Sequence, residues 1–184
     1  MPVAIQIDAK QMAKLQRVVG DIKLGVPKVL APAINRALAS GKTVVSREIR
    51  KEYLIKAKDI PAVVTRASYG RLSGQIRIDQ GMLHLDRFKV HPRGISRKNK
   101  RGVHAQVKRS GGGGWIQHAF NIPSGGPYAR IGPSRHPIFK LATISAAIMA
   151  TQPTVGPEVN KKMGDTLAKR IDHEIERVLA RAGG

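Results

Sequence analysis

Gln75-Ile76-Arg77-Ile78-Asp79-Gln80-Gly81-Met82-Leu83-His84-Leu85 is where the hydrophobic period of this chain changes. Upstream, apolar residues recur every three or four positions. Here Ile76 and Ile78 alternate with polar residues, the period of a strand with one buried face. Asp79-Gln80-Gly81 supplies turn residues, so Leu83 and Leu85, then Phe88 and Val90, are expected on a returning strand. Pro92-Arg93-Gly94 ends it. Val103, Ala105 and Val107 alternate with His104, Gln106 and Lys108 and predict another strand. Gly111-Gly112-Gly113-Gly114 reads as a flexible link. Residues 115–122 alternate again, with Ile116, Phe120 and Ile122 expected on one face. Ser124-Gly125-Gly126-Pro127 turns the chain into a short last strand at 128–131.

Helical patterns lie on both sides. Asp8 stands where an N-cap belongs, with Gln11 at the capping-box position, and Met12, Leu15, Val19 and Ile22 follow at helical spacing until Gly25. Pro27 suits the first turn of a second helix. That helix is expected to run through Leu30, Ile34, Leu38, Gly41, Val45 and Ile49 to about Tyr53. Ala33, Ala37 and Gly41 form a small-residue stripe that would let another backbone approach closely. Arg36, Lys42, Arg47, Arg50 and Lys51 decorate the remainder; a solvated basic face explains them equally well. Residues 57–67 fit more than one state. Beyond the strands, Pro137 precedes a helical spacing of Ile138, Leu141, Ile144 or Ser145, and Ile148. A last helix is expected from Pro157 and Glu158, with Val159, Met163, Leu167, Ile171, Ile175 and Val178 as its apolar stripe. Helices, then strands, then helices is the α+β pattern: a small antiparallel β-sheet flanked by N-terminal and C-terminal helices. With 184 residues and no long linker, one domain is expected, residues 1–184. Within it, 1–68 holds the first helices, 72–132 a β-meander with a basic loop at 91–102, and 138–182 the C-terminal helices.

Charge marks the working face. Residues 87–157 contain no Asp or Glu, yet hold Arg87, Lys89, Arg93, Arg97, Lys98, Lys100, Arg101, Lys108 and Arg109, then Arg130, Arg135 and Lys140. With no carboxylate nearby in sequence, these groups are expected to be solvated or to meet an anion carried by a partner. The whole chain has a formal net charge of +21 and a pI near 11.2, which opposes compaction unless anions or subunits relieve it. DNA, RNA or a membrane surface would serve.

Several chemistries are excluded. The chain has no cysteine, so there are no disulfides, thiolate metal sites or thiol nucleophiles. Met1-Pro2-Val3-Ala4 lacks the pattern of a signal peptide, and the apolar run at 138–150 is too short to span a bilayer and carries Lys140. Synthesis in a cytoplasm is expected, with no membrane partner. His84, His91, His104, His118, His136 and His173 show no metal-ligand spacing, and only His84 and Asp86 would share a strand face. A phosphate-cradling loop needs Gly-x4-Gly-Lys-Ser/Thr before a helix; the four glycines follow Lys108 instead, and Gly41-Lys42-Thr43 lacks the upstream glycine, position 36 being Arg. Neither a Gly-x-Ser-x-Gly elbow nor a paired-carboxylate arrangement is present. No cofactor is expected, and the chain does not read as an enzyme. Scarce aromatic residues weaken base stacking, and no zinc finger, helix-turn-helix or aromatic RNA-binding strand is evident. What remains is contact with phosphates without base reading.

Ala33-Ile34-Asn35-Arg36-Ala37, Ala119-Phe120, Arg130-Ile131-Gly132, Arg135-His136-Pro137-Ile138 and Leu141, in that order, make the chain resemble the minor tail protein Z family of tailed bacteriophages and prophages, the tail completion proteins. The resemblance runs roughly from Val26 to the end; the first helix and the four-glycine run are not mapped onto it. It implies a structural virion protein of the neck, at the head-proximal end of the tail, made in the host cytoplasm. It further implies a homo-oligomeric ring, taken as a hexamer, that helps join head to tail and lets the genome pass. Its partners would be the terminator, stopper, tube and tape measure proteins, with genomic DNA touched non-specifically. Arg87, Lys89, Arg93, Arg97, Lys98, Lys100, Arg101, Lys108 and Arg109 are then candidates for the surface facing DNA or a partner. Arg130, Arg135 and Pro137 are expected to shape a strand-to-helix corner, as a subunit contact or a plain surface turn.

Two other readings compete. A ribosome- or nucleoid-associated protein that binds nucleic acid without sequence preference would share the charge but stay monomeric or dimeric. A nuclease would need clustered carboxylates for metal ions, which the acid-free centre lacks.

Overall fold

A computed structural model of the chain describes residues 2–4, 9–93, 101–122 and 125–182. In chain order its elements are β1 (Pro2–Ala4), α1 (Ala9–Val19), α2 (Gly25–Glu52), β2 (Ala62–Thr65), β3 (Gln75–Ile78), β4 (Met82–His84), β5 (Lys89–His91), β6 (Val103–Gln106), β7 (Gly114–Ile116), β8 (Phe120–Ile122), β9 (Gly126–Arg130), β10 (Ile138–Lys140), β11 (Ala142–Ser145), α3 (Ala146–Ala150) and α4 (Val155–Ala182). Two single 3-10 turns, Ala57–Asp59 and Leu85–Arg87, join some of them. The fold is α+β, with helices towards both ends and small antiparallel sheets. Contacts group the chain into two compact units, interleaved in sequence rather than one after the other.

The first unit comprises Met1–Val45, Ala62–Ile78 and Thr151–Gly184. Its sheet has the order β1-β3-β2, all antiparallel, with Val64 opposite Ile76 and Ala62 opposite Ile78. Ile76 and Ile78 point inward, as their alternation requires. The hairpin expected from Ile78 to Leu83 does not form. β3 takes its partners from β1 and β2, which leaves Asp79-Gln80-Gly81 as an exit, held by the Gly81 N–H donating to Asp79 Oδ1 at 3.2 Å. The ambiguous 57–67 stretch resolves into one 3-10 turn and an edge strand.

Helix α1 stops at Val19, short of Ile22, because Leu24 takes a left-handed conformation (φ 58°) and Gly25 opens α2. Helix α2 then runs 28 residues and passes through Pro32. Up to Val45 it buries Val29, Leu30, Ala33, Ile34, Ala37, Leu38 and Val45 itself. The small-residue stripe is spent inside this unit: a methyl group on Gly41 would sit 2.4 Å from Met163 Sδ and 3.0 Å from Ile76 Cδ1. Glycine there lets α4 and β3 approach, so the stripe is not an open surface for another subunit. Helix α4 buries all six residues of its expected stripe, Val159, Met163, Leu167, Ile171, Ile175 and Val178. Burial of side chains this size stabilises by about 1.5–3 kcal/mol each, which is why a polar-faced helix holds its place.

One polar clamp completes the first unit. Asn35 projects from α2, and its Nδ2 donates to the Ala67 carbonyl at 3.0 Å while its Oδ1 accepts from the Ala67 N–H at 2.8 Å. A side-chain amide thus imitates a neighbouring strand and holds the chain where β2 has ended.

The second unit comprises Ser46–Pro61 and Asp79–Ala150. It carries three sheets: β5-β6-β7, β10-β9-β8 and the pair β11-β4. Leu83, Leu85, Phe88 and Val90 are all buried as expected, but not on one strand: Leu83 lies on β4 and Val90 on β5, with Leu85 in the Leu85–Arg87 turn between them and Phe88 just after it. The 115–122 stretch also divides. His118 adopts φ 58°, which reverses the chain, and Ala119 and Asn121 face inward in place of Ile116, Phe120 and Ile122. The 138–148 stretch is not the helix its spacing predicts. Ile138–Lys140 pairs with β9, Ala142–Ser145 pairs with β4, and only Ala146–Ala150 is helical. Aromatic and β-branched side chains (Phe139, Thr143, Ile144) suit a pleated surface, and the strands that pair with them come from distant sequence. Gly113 (φ 75°) closes the β6–β7 hairpin; a methyl group there would lie 2.6 Å from the Ala105 carbonyl oxygen. No helix among the described residues is long and apolar enough to cross a membrane.

Candidate functional site

The second unit is where positive charge accumulates. It holds seventeen Lys and Arg against five Asp and Glu. The candidate basic residues divide into three groups by what their side chains touch.

Lys108 and Arg109 are tied to the end of α2. The Leu54 N–H donates to the Val107 carbonyl at 2.8 Å, and the Arg109 N–H to the Glu52 carbonyl at 2.7 Å. Lys108 Nζ then lies 3.2 Å from Glu52 Oε1 and 5.8 Å from the centre of the Tyr53 ring. Arg109 Nε donates to the Arg50 carbonyl at 2.7 Å, placing a cation at the negative end of the helix dipole. The expectation that no carboxylate neutralises the basic stretch is therefore corrected at Lys108. It is corrected also at Lys140, whose Nζ lies 2.7 Å from Asp86 Oδ2. Both acids lie outside 87–157 in sequence; the backbone bonds at the end of α2 bring in Glu52, and the Leu85 N–H donating to the Leu141 carbonyl at 3.0 Å brings in the turn that carries Asp86.

Arg87 and Arg93 help to line a half-open cleft of about 470 Å³, together with Lys56, Lys58, Asp59, Asp86, Phe88, Val90, Asn121, Gly125, Gly126 and Pro127. Arg87 ends the Leu85–Arg87 turn, and its guanidinium donates to the Asp59 carbonyl at 3.2 Å, joining two walls. A methyl group on Gly126 (φ 86°) would meet Asp86 Cβ at 2.6 Å, so only glycine lets β9 approach this turn. Asn121 is 5% exposed; its Nδ2 donates to the Pro92 carbonyl, while its Oδ1 is buried without a hydrogen-bond donor among the described residues.

Lys89 is exposed on β5, opposite Gln106, because Val90 takes the inward position. Arg101 is exposed just before β6. Arg97, Lys98 and Lys100 lie outside the described residues. Among the described residues, Lys56, Lys58, Lys89 and Arg93 meet no carboxylate.

Arg130, Arg135 and Pro137 belong to one hairpin, and the strand-to-helix corner expected there is instead a strand-to-strand turn. Arg130 on β9 pairs in register with Ile138 on β10, and the Ile131 N–H donates to the Pro137 carbonyl at 3.3 Å. The Arg130 guanidinium lies 4.9 Å from the Phe120 ring centre, a cation–π contact. Arg135 is exposed in the turn, alongside Ile131 at 69% exposure and near Phe139 at 45%.

Sequence reasoning did not single out Lys56, Lys58 or Asn121. Lys56 and Lys58 stand two apart just after the α2 helix, the first capping and the second inside the single 3-10 turn at Ala57–Asp59, and such a turn leaves no hydrophobic period to read. Asn121 carries no such signal, since an Asn between Phe120 and Ile122 reads as the solvent-facing position. No group of three or more metal-ligating side chains occurs among the described residues. No family model matches the chain, and no curated protein or solved structure is significantly similar to it.

Proposed function

We propose that this chain is a structural protein of a phage neck, a tail completion component that assembles as a ring at the head-proximal end of the tail and faces the passing genome. The observation that carries the reading is the charge of the second unit: Lys89 and Arg93 are exposed and meet no carboxylate among the described residues, beside Arg101 and a further run of basic sequence. Cations held out on a small sheet suit a phosphate surface that must be touched without being read. The sequence resemblance to tail completion proteins supports the neck assignment, and the exposed apolar pair Ile131 and Phe139 on the β9–β10 hairpin offers a surface for a neighbouring subunit.

The test combines size and salt. Sedimentation of the purified chain, alone and with tail tubes, should give one defined multimer or a stable association with tube ends. Its affinity for random-sequence duplex DNA should fall with the logarithm of salt concentration. Lys89→Ser with Arg93→Ser should lower that slope by about two, at roughly 0.9 for each phosphate no longer neutralised. A chain that stays monomeric, ignores tail tubes and still binds DNA would point to a nucleoid- or ribosome-associated binder instead. A slope unchanged by the double substitution would remove the DNA-facing surface.

A further inference from the structure

The sheet β5-β6-β7 has two unlike faces, separated by the alternation along its strands. Val90 and Val103 are buried on one. The other carries Lys89 and His91 from β5, His104 and Gln106 from β6, and Trp115 from β7. Antiparallel register sets His91 opposite His104 and His104 opposite Trp115, so three ring-bearing residues stand in one row across the sheet. Lys89 lies opposite Gln106 in the next row of the same face. No acid stands on these three strands, and Glu52, beyond the end of β6, is engaged by Lys108.

Trp115 is the single tryptophan of the chain, and it is 45% exposed. Its ring meets His104 at 5.4 Å between centres and 68° between planes, an edge contact that covers at most one face of the indole. His104 is in turn packed against Gly113, where a methyl group would lie 2.8 Å from His104 Cε1. The indole is thus steadied by a packed neighbour while a face stays open to solvent.

An exposed indole within a continuous apolar patch would suit a protein neighbour. The residues beside Trp115 on this face are instead imidazoles, a carboxamide and an ammonium group. Cations alone would accept any anion; an indole set among them selects an anion that also carries flat rings. Unpaired nucleotides supply both, since every base has a π-face to lay on Trp115, and the phosphates accept from the Lys89 ammonium and the His91 ring N–H. Strand spacing puts His91 and Trp115 about 10 Å apart, a span that a short stretch of single strand covers. In a duplex the bases are stacked on one another, so a duplex can use Lys89 but not Trp115.

We propose that the outward face of β5-β6-β7 binds single-stranded nucleic acid, one base stacking on Trp115 and the adjoining phosphates meeting Lys89 and His91. The inference rests on the DNA-facing reading above and narrows it to unpaired strand at this sheet.

The experiment reads the emission of Trp115 in the full chain at physiological salt. An oligothymidylate of about twelve nucleotides, within the usual site size for such surfaces, should quench it saturably. A blunt duplex of the same length should bind without quenching. An abasic oligomer with the same number of phosphates should not quench and should bind about tenfold more weakly. Trp115→Ser, at an exposed side chain, should keep the circular dichroism spectrum and weaken a labelled oligothymidylate roughly tenfold in fluorescence anisotropy, and Trp115→Phe should recover most of that loss. Absence of quenching overturns the proposal, as does equal affinity of the abasic oligomer or of the Trp115→Ser chain. Equal quenching by the duplex overturns the restriction to unpaired strand. An acidic peptide of equal charge that displaces the oligothymidylate at equal or lower concentration makes the face a general anion surface, and the base-stacking reading is wrong. A blue shift of the emission with rising protein concentration, with no quenching by the oligothymidylate, assigns the face to a subunit contact instead. Loss of the quenching alone, with duplex binding still sensitive to Lys89→Ser and Arg93→Ser, leaves the DNA-facing reading standing; quenching without duplex binding does the reverse.

Discussion

Replacing Asn35 by Ala removes the clamp between α2 and the end of β2, and its cost follows from the geometry. Asn35→Ala deletes two hydrogen bonds, at 3.0 and 2.8 Å, and strands both backbone groups of Ala67, a residue 7% exposed. Each buried backbone group left without a partner costs about 1–3 kcal/mol. Asn35 itself is half-buried, so water reaches part of the vacated space and the lower half of that range applies. The expected loss is about 2–4 kcal/mol, which for a chain of this size lowers the melting temperature by roughly 5–15 °C. Urea denaturation followed by circular dichroism reads the global term. Amide exchange at Ala67 reads the local one, and its protection should fall more than that of Ile76 on β3. Asn35→Asp keeps the acceptor but sets a second acceptor against the Ala67 carbonyl. It should be destabilised at neutral pH and recover in part on acidification, when the added proton supplies a donor. A loss below about 0.5 kcal/mol with Ala67 still protected would overturn this account of the clamp, because it would mean that the two bonds contribute nothing beyond what water restores.

Two further outcomes are expected. Glu48 is buried, with Oε2 2.6 Å from Lys51 Nζ and Oε1 accepting from Arg47 Nε at 3.0 Å. The Lys51 contact, aided by Arg47 and opposed by burial, holds its carboxyl below the ordinary carboxylate range. A folded-state value lowered in this way gives stability that is present at neutral pH and lost as pH falls through the acid range; Glu48→Gln should be less stable at neutral pH and show a flatter acid limb in urea midpoints measured from about pH 7 to about pH 3. Lys108→Ser with Arg109→Ser removes a surface ion pair and a cation at the end of α2, so it should cost about 1 kcal/mol and leave the salt dependence of DNA binding unchanged. A lower salt slope in that variant would return both residues to the DNA surface.

The parts of this molecule that were legible in its sequence are those in which one face of one element decides the outcome. The α4 stripe is a case: six apolar residues at helical spacing can be buried in only one way, and all six are. The alternation at Ile76 and Ile78 worked for the same reason. Where a partner decides, the reading failed. Ile138, Leu141, Ile144 and Ile148 satisfy a helical period, but β9 and β4 claim that chain as strand, and Ile148 ends 53% exposed. The sites divide likewise. Arg87 and Arg93 were legible as charge, whereas the cleft they share with Lys56 and Lys58 comes from turns distant in sequence. Asn121 faces inward because His118 reverses the chain three residues earlier, and a left-handed histidine leaves no mark on hydrophobic periodicity.

The acids of the second unit explain why its basic groups separate into two kinds. Its five carboxylates are Glu48, Glu52, Asp59, Asp79 and Asp86. Glu48 engages Arg47 and Lys51, Glu52 engages Lys108, Asp86 engages Lys140, and Asp79 accepts from the Gly81 N–H. Four of the five are thus committed to holding helix ends, strand pairs and turns. The cations they engage are structural, and removing those cations would be felt in folding. Against seventeen Lys and Arg, however, five acids leave a large uncompensated remainder. That remainder repels itself, and salt at physiological strength screens the repulsion only beyond about 8–10 Å. Evenly spread, such a surplus would do no more than keep the chain soluble. Here part of it stands on an exposed strand, at Lys89, and part converges on one cleft, at Lys56, Lys58, Arg87 and Arg93, so removing these cations should be felt in the binding of anions more than in folding.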